Sequence, residues 1–128
     1  MFEDIEALVQ AGKWDEAEPL LQDFVAKHPE HGMGHARLGM CLGRKGEIEP
    51  AAVQFQRAWA LDPRDWDSGK NLLKCYEHLG NHKEALVVAH DILRMRPSDQ
   101  DVSSLVERCT AALKAQEPDD DRSMVWGR

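Results

Sequence analysis

His28, His31 and His35 form an H-x2-H-x3-H run with Met33 inside it, and such a set could bind a transition metal if a turn gathered the rings. The segment bridges two helical patterns, is rich in turn residues and has no acidic or thiolate fourth ligand at fixed spacing, so no metal site is expected. His78 and His82 flank a turn and His90 falls within a helical pattern, so these three read as solvent-facing or packed rings. The thiols Cys41, Cys75 and Cys109 follow one another at intervals of 34 residues. Equivalent places on stacked helical units lie about 10 Å apart, outside disulfide reach, so the cysteines are expected to act as small hydrophobes. The hydroxyl nucleophiles are no better placed: Ser68, Ser98, Ser103, Ser104 and Ser123 lack a nucleophile-elbow setting, and Gly39 to Gly46 contains no phosphate-binding loop. The paired carboxylates Asp15-Glu16 and Glu47-Glu49 stand at helix starts, where the helix dipole favours acid. No nucleophile, base and oxyanion donor can be assembled, so neither an enzyme nor a cofactor is expected.

The elements that carry these residues repeat. Gly12, Gly46 and Gly80 are 34 residues apart, as are Ala17, Ala51 and Ala85, and again Pro29, Pro63 and Pro97. Each glycine follows one apolar-periodic segment and precedes another, where a helix ends in a left-handed residue that glycine adopts cheaply. Each alanine falls in the first turns of a second helix, where a small side chain lets two antiparallel helices approach. Each proline stops that second helix, having no N–H and a fixed φ. The periodicity predicts helices near 2–11, 14–27, 33–45, 48–61, 66–79, 82–95 and 100–115. In the last, Val102, Leu105, Val106, Cys109 and Leu113 form one apolar stripe, with Asp101, Glu107, Arg108 and Lys114 outside it. Pro19 and Pro50 fall early in helices, where N–H groups are unpaired anyway. Trp14, Trp59 and Trp66 read as packing residues.

The repeat resembles the tetratricopeptide repeat, with its W-x2-L-G-x2-Y, A-x3-F and P pattern. The middle unit carries Leu38-Gly39, Leu42, Gly46, Ala51, Phe55, Ala58 and Ala60-Leu61-Asp62-Pro63. The third keeps Leu72, Tyr76, Gly80, Ala85 and Pro97 but has Leu73 and Ala89 where the family prefers Gly and Phe; the first keeps Gly12, Ala17, Leu21 and Pro29. None has the early Trp, and His35 takes that place in the middle unit. The resemblance implies an all-α fold, a right-handed superhelical solenoid of antiparallel helix pairs, over residues 1–116. Its repeats would run at about 1–31, 32–65 and 66–99, with a capping helix at 100–115 and an acidic tail at 117–128. It also implies that the cysteine place, occupied by Ala7 in the first repeat, is small and buried.

Composition agrees with one folded domain: 128 residues, 42% hydrophobic and 30% charged. A net charge of −7 argues against nucleic-acid or anionic-membrane partners. The acidic start Met1-Phe2-Glu3-Asp4 and a longest apolar run of only Ala85 to Ala89 lead us to expect a soluble, cytoplasmic protein. The acidity is uneven, since residues 1–30 hold eight acids against two lysines, whereas 31–64 hold five bases against three acids.

By the resemblance, the concave groove is lined by the first helix of each pair. That places Phe2 and Glu6, then Met33, Arg37, Met40 and Arg44, then Lys70, Asn71, Lys74 and His78 along it. Arg37, Arg44, Lys70 and Lys74 would converge there with two adaptable methionines between them. The implied function is a non-catalytic adaptor or scaffold that binds a protein or peptide segment with acidic groups and an apolar anchor. Relatives that grip the acidic C-terminus of heat-shock chaperones use a set of Lys, Asn and Arg of which only Asn71 fits, because Ala36 and Met40 stand where Lys and Asn should be, so that ligand is not expected. The alternative is a homo-oligomeric self-association module built on the short first helix and the tail, whose three aspartates and Trp126 could dock in the groove.

Overall fold

The computed structural model describes residues 1–116, so the expectations placed on the 117–128 tail and Trp126 lie outside the described residues. It consists of α1 (Phe2–Gln10), α2 (Trp14–Lys27), α3 (Gly32–Arg44), α4 (Ile48–Leu61), α5 (Trp66–Leu79), α6 (His82–Met95) and α7 (Gln100–Gln116). The expected boundaries hold to within one residue.

Local chemistry accounts for the breaks. Gly12, Gly46 and Gly80 have φ of 76°, 83° and 77°, the left-handed region that ends a helix. Lys13 N–H then donates to the Leu8 carbonyl at 2.8 Å and Glu47 N–H to the Leu42 carbonyl at 2.9 Å, closing the turn over carbonyls the helix end leaves open. The residues before the prolines, His28, Asp62 and Arg96, leave helical geometry with ψ of 68°, 95° and 71°, as the proline ring requires of its predecessor. Side chains cap three helix starts: His31 Nδ1 accepts from Gly34 N–H, Asp65 Oδ1 from Ser68 N–H and Asp99 Oδ1 from Val102 N–H.

The chain packs as two compact units. The first, Met1–Gly80, holds α1 to α5, each packed on the next. Its core includes Ile5, Leu21, Phe24, Leu38, Leu42, Phe55 and Leu72. Gly39 lets α4 come close, because a Cβ there would sit 2.8 Å from the Phe55 ring. The second begins at Asn81 and contains α6 and α7, which bury Ala85, Ala89 and Ile92 with Val102, Leu105 and Cys109.

One expectation is corrected. Ala7 is exposed, whereas the cysteines 34, 68 and 102 residues later are buried. Cys41 is covered from the side of α2, by Trp14 and Glu18, and no helix of the described residues covers Ala7 in that way.

Candidate partner-binding groove

The first helix of each pair in the Met1–Gly80 unit is α1, α3 or α5. On α3, Met33, Arg37, Met40 and Arg44 fall three or four residues apart, on one face. Lys70, Lys74 and His78 do the same on α5, with Asn71 alongside.

The structure divides these residues by what already holds them. Arg37 forks onto Glu6 of α1, with Nε donating to Oε1 at 2.5 Å and Nη2 to Oε2 at 3.1 Å. Both side chains are largely covered, at 20% and 25% exposure. The third nitrogen, Nη1, lies 3.7 Å from the Met40 sulfur and orients that side chain. Arg44 rests over the Trp14 ring with Cζ 4.7 Å from its centroid. Beside it, Lys45 bridges Glu18 and Glu47 at 3.1 and 3.2 Å, and these carboxylates hold the Lys45 ammonium above its ordinary pKa. The side chains of Lys74 and His78, in contrast, are exposed and bond no other described residue. Lys70 and Asn71 are half-buried.

Glu6 and Trp14 were legible as residues of the first repeat but not as partners of the α3 arginines. The available signal was register: Glu6 sits 31 residues before Arg37 and Trp14 sits 30 before Arg44, which places each pair on adjacent repeats.

The remaining chemical candidates are built into the fold. Cys41 floors a small cleft of about 210 Å³ between α2 and α3, and burial, with Glu18 adding to it, pushes its thiol up to about 11. Burial also raises the Cys75 thiol. Neither is a ready nucleophile near neutral pH. His31 caps α3, and its ring packs on Phe2 and Phe24 at centroid distances of 4.6 and 4.9 Å. His28 lies against Phe24 at 4.7 Å. His35 is only 2% exposed; its Nε2 donates to the Pro29 carbonyl at 2.7 Å, and its Nδ1 lies 2.8 Å from the Gln54 side-chain amide. Among the described residues, no group of three or more His, Cys, Asp or Glu is placed to hold a metal ion. No described helix is long and apolar enough to cross a membrane.

The tetratricopeptide repeat family matches residues 5–68, half the chain, and matches again over 44–109. The chain belongs to the tetratricopeptide repeat family. Solved tetratricopeptide structures share its fold. The first such domain of Spaghetti (RPAP3), bound to the HSP90 peptide SRMEEVD, is 17% identical with a TM-score of 0.74, over 88% of this chain and 89% of that one. The second domain of human RPAP3, in complex with the HSP70 peptide SGPTIEEVD, is 16% identical with a TM-score of 0.71, over 84% and 90%. PcrH, in complex with the chaperone binding region of PopD, is 22% identical with a TM-score of 0.65, over 89% of each chain. No curated protein matches the chain significantly. At these identities the likeness is one of fold. The pairing of Glu6 with Arg37 ties the first two tetratricopeptide repeats by an ion pair between their first helices.

Proposed function

We propose that this protein is a non-catalytic adaptor that binds a partner segment in the groove formed by the first helices of its repeats. The residues assigned to the groove are Met33, Arg37, Met40, Arg44, Lys70, Asn71, Lys74 and His78. The observation that carries the reading is the contrast along this set: Arg37 and Arg44 are occupied within the protein, whereas Lys74 and His78 stand exposed with no partner among the described residues. Recognition of acidic groups therefore falls to α5, with Lys74 as the principal cation and Met40, set by Arg37, as part of the apolar floor. A lysine free of internal pairing can give its whole charge to a ligand, while a guanidinium already forked onto a carboxylate has to lose that bond first. Peptides rich in glutamate and aspartate bound to domains of this fold support an acidic segment as the ligand class.

The test is capture from lysate of the source cell by the intact protein and by Lys70→Ala/Lys74→Ala, with both checked for equal helicity and melting. A partner held by the first and lost by the second is the expected result, with Arg37→Ala changing capture far less. Equal capture by both proteins would refute the α5 assignment.

A further inference from the structure

A second surface has the opposite polarity. Where the start of α3 meets the end of α4 and the cap of α5, a cleft of about 520 Å³ opens to solvent. Its apolar part is Met33, 42% exposed, and Leu61, 45% exposed. These two of the exposed large hydrophobics converge in one cleft. Gly32 contributes no side chain to the mouth; a Cβ there would come 3.8 Å from the Leu61 Cβ and narrow it.

The rim is acidic. Glu30, Asp62 and Asp65 line the cleft, and among the described residues no Lys or Arg does. The bonds these carboxylates make leave their charge in place: Asp62 accepts from the Arg64 N–H at 3.0 Å, and Asp65 accepts from the Ser68 N–H and hydroxyl. Among the described residues, Glu30 has only the His28 ring, at 4.0 Å, and the Arg64 side chain bonds none of the three. A pocket of a few hundred Å³ is the size that takes one or two side chains of a ligand. An apolar patch flanked by carboxylates with no cationic partner selects by charge complementarity.

We propose that this cleft is a second docking site, for a peptide segment of a partner that carries an arginine or lysine next to a leucine- or methionine-sized side chain. The apolar side chain seats between Met33 and Leu61, and the cation meets Asp62 and Glu30. The cleft shares Met33 with the residues assigned to the groove, but no α5 lysine lines it, so its charge selection is opposite to that of Lys74.

The probe is acetyl-Arg-Leu-Met-Leu-Arg-amide, titrated at low salt into the full-length 15N-labelled protein, with acetyl-Glu-Leu-Met-Leu-Glu-amide as its charge-reversed control. The cationic peptide is expected to shift the amides of Gly32, Met33, Asp62 and Asp65, and the anionic one to leave them in place. Glu30→Lys/Asp62→Lys, two exposed positions outside the core, should weaken the cationic peptide at least tenfold with helicity unchanged. Lys74→Ala should not affect it, which separates this site from the α5 end of the groove. Absence of those shifts at millimolar peptide, equal shifts from both peptides, or unchanged affinity in the double variant would each overturn the proposal.

Discussion

The junction between the first two repeats and the junction between the second and third use the same places in the 34-residue frame for different chemistry. At the first, Glu6 grips Arg37, Arg44 covers Trp14, and Lys45 bridges to Glu18. One repeat later these positions hold Met40 and Asn71, Ile48 and His78, and Ala52 and Leu79. No Asp, Glu, Lys or Arg stands at these places of the second junction. The difference teaches what a basic residue on a first helix is for in this array. Arginines of α3 face an acidic first repeat and are taken up by architecture, whereas α5 has no acid at the equivalent places of α3 and keeps Lys74 exposed.

The largest effect expected within this comparison lies beneath the junctions. In the middle repeat Gly39 leaves room for the Phe55 ring, while the equivalent places one repeat on hold the large Leu73 and the small Ala89, both buried. The large and the small residue have thus changed places between the first and second helix of the repeat. Gly39→Leu drives a side chain into a ring already 2.8 Å from the ideal Cβ, and it should destabilise the fold by about 2 kcal/mol or more. Phe55→Ala should cost about 3–5 kcal/mol through the cavity it leaves. The double variant, which copies the Leu73 and Ala89 arrangement, should cost at least about 1 kcal/mol less than the sum of the two. Urea unfolding of the four proteins measures this, and strict additivity would show that a leucine at 39 does not fill the space the Phe55 ring leaves.

This exchange also shows where the sequence was sufficient. The fold could be read because its determinants are backbone ones: left-handed glycines at 12, 46 and 80 and helix-stopping prolines at 29, 63 and 97 act on their own segment whatever packs nearby. Burial of the small alanines at 17, 51 and 85 followed from the same period. The groove was less legible, because whether Arg37 is a ligand cation or a tie depends on a carboxylate 31 residues away, and periodicity within one helix carries no trace of it. Ala7 misled for a related reason, since burial at that place comes from the preceding repeat's second helix and not from α1 itself. The acidic cleft was invisible in the sequence: Glu30 and Met33 flank the start of α3 while Leu61 and Asp62 flank the end of α4, and only packing brings the two together.

An intermediate effect is expected at the ionic tie itself. Glu6→Arg sets two cations together where both side chains are about four-fifths covered, with no carboxylate left for the Arg37 fork. Breaking a fully buried pair costs about 3–5 kcal/mol, and an exposed one is worth less than about 1, so a loss of roughly 2 kcal/mol is expected here. Glu6→Arg/Arg37→Glu restores opposite charges and should recover most of it. Thermal melts of the wild type, both single variants and the double variant decide the matter, and failure of the swap to recover stability would mean that packing of the arginine stem dominates over its charge.

The smallest effect sharpens the comparison most finely. The contact of Arg44 with Trp14 lies at a partly exposed site, where a cation over an indole ring is worth about 0.5–1 kcal/mol. The next junction does without it, having Ile48 and His78 at the equivalent places. A double-mutant cycle of Trp14→Ile and Arg44→His should therefore give a coupling of about 0.5 kcal/mol, which high salt changes little because the attraction acts at contact and not across a screening length. Arg44→His alone should leave capture of an acidic partner nearly unchanged, since the guanidinium is already committed to the ring. If Arg44→His lowers capture as much as Lys74→Ala does, the division between architectural arginines on α3 and a ligand-facing Lys74 on α5 is wrong, and α3 takes part in recognition despite its internal partners.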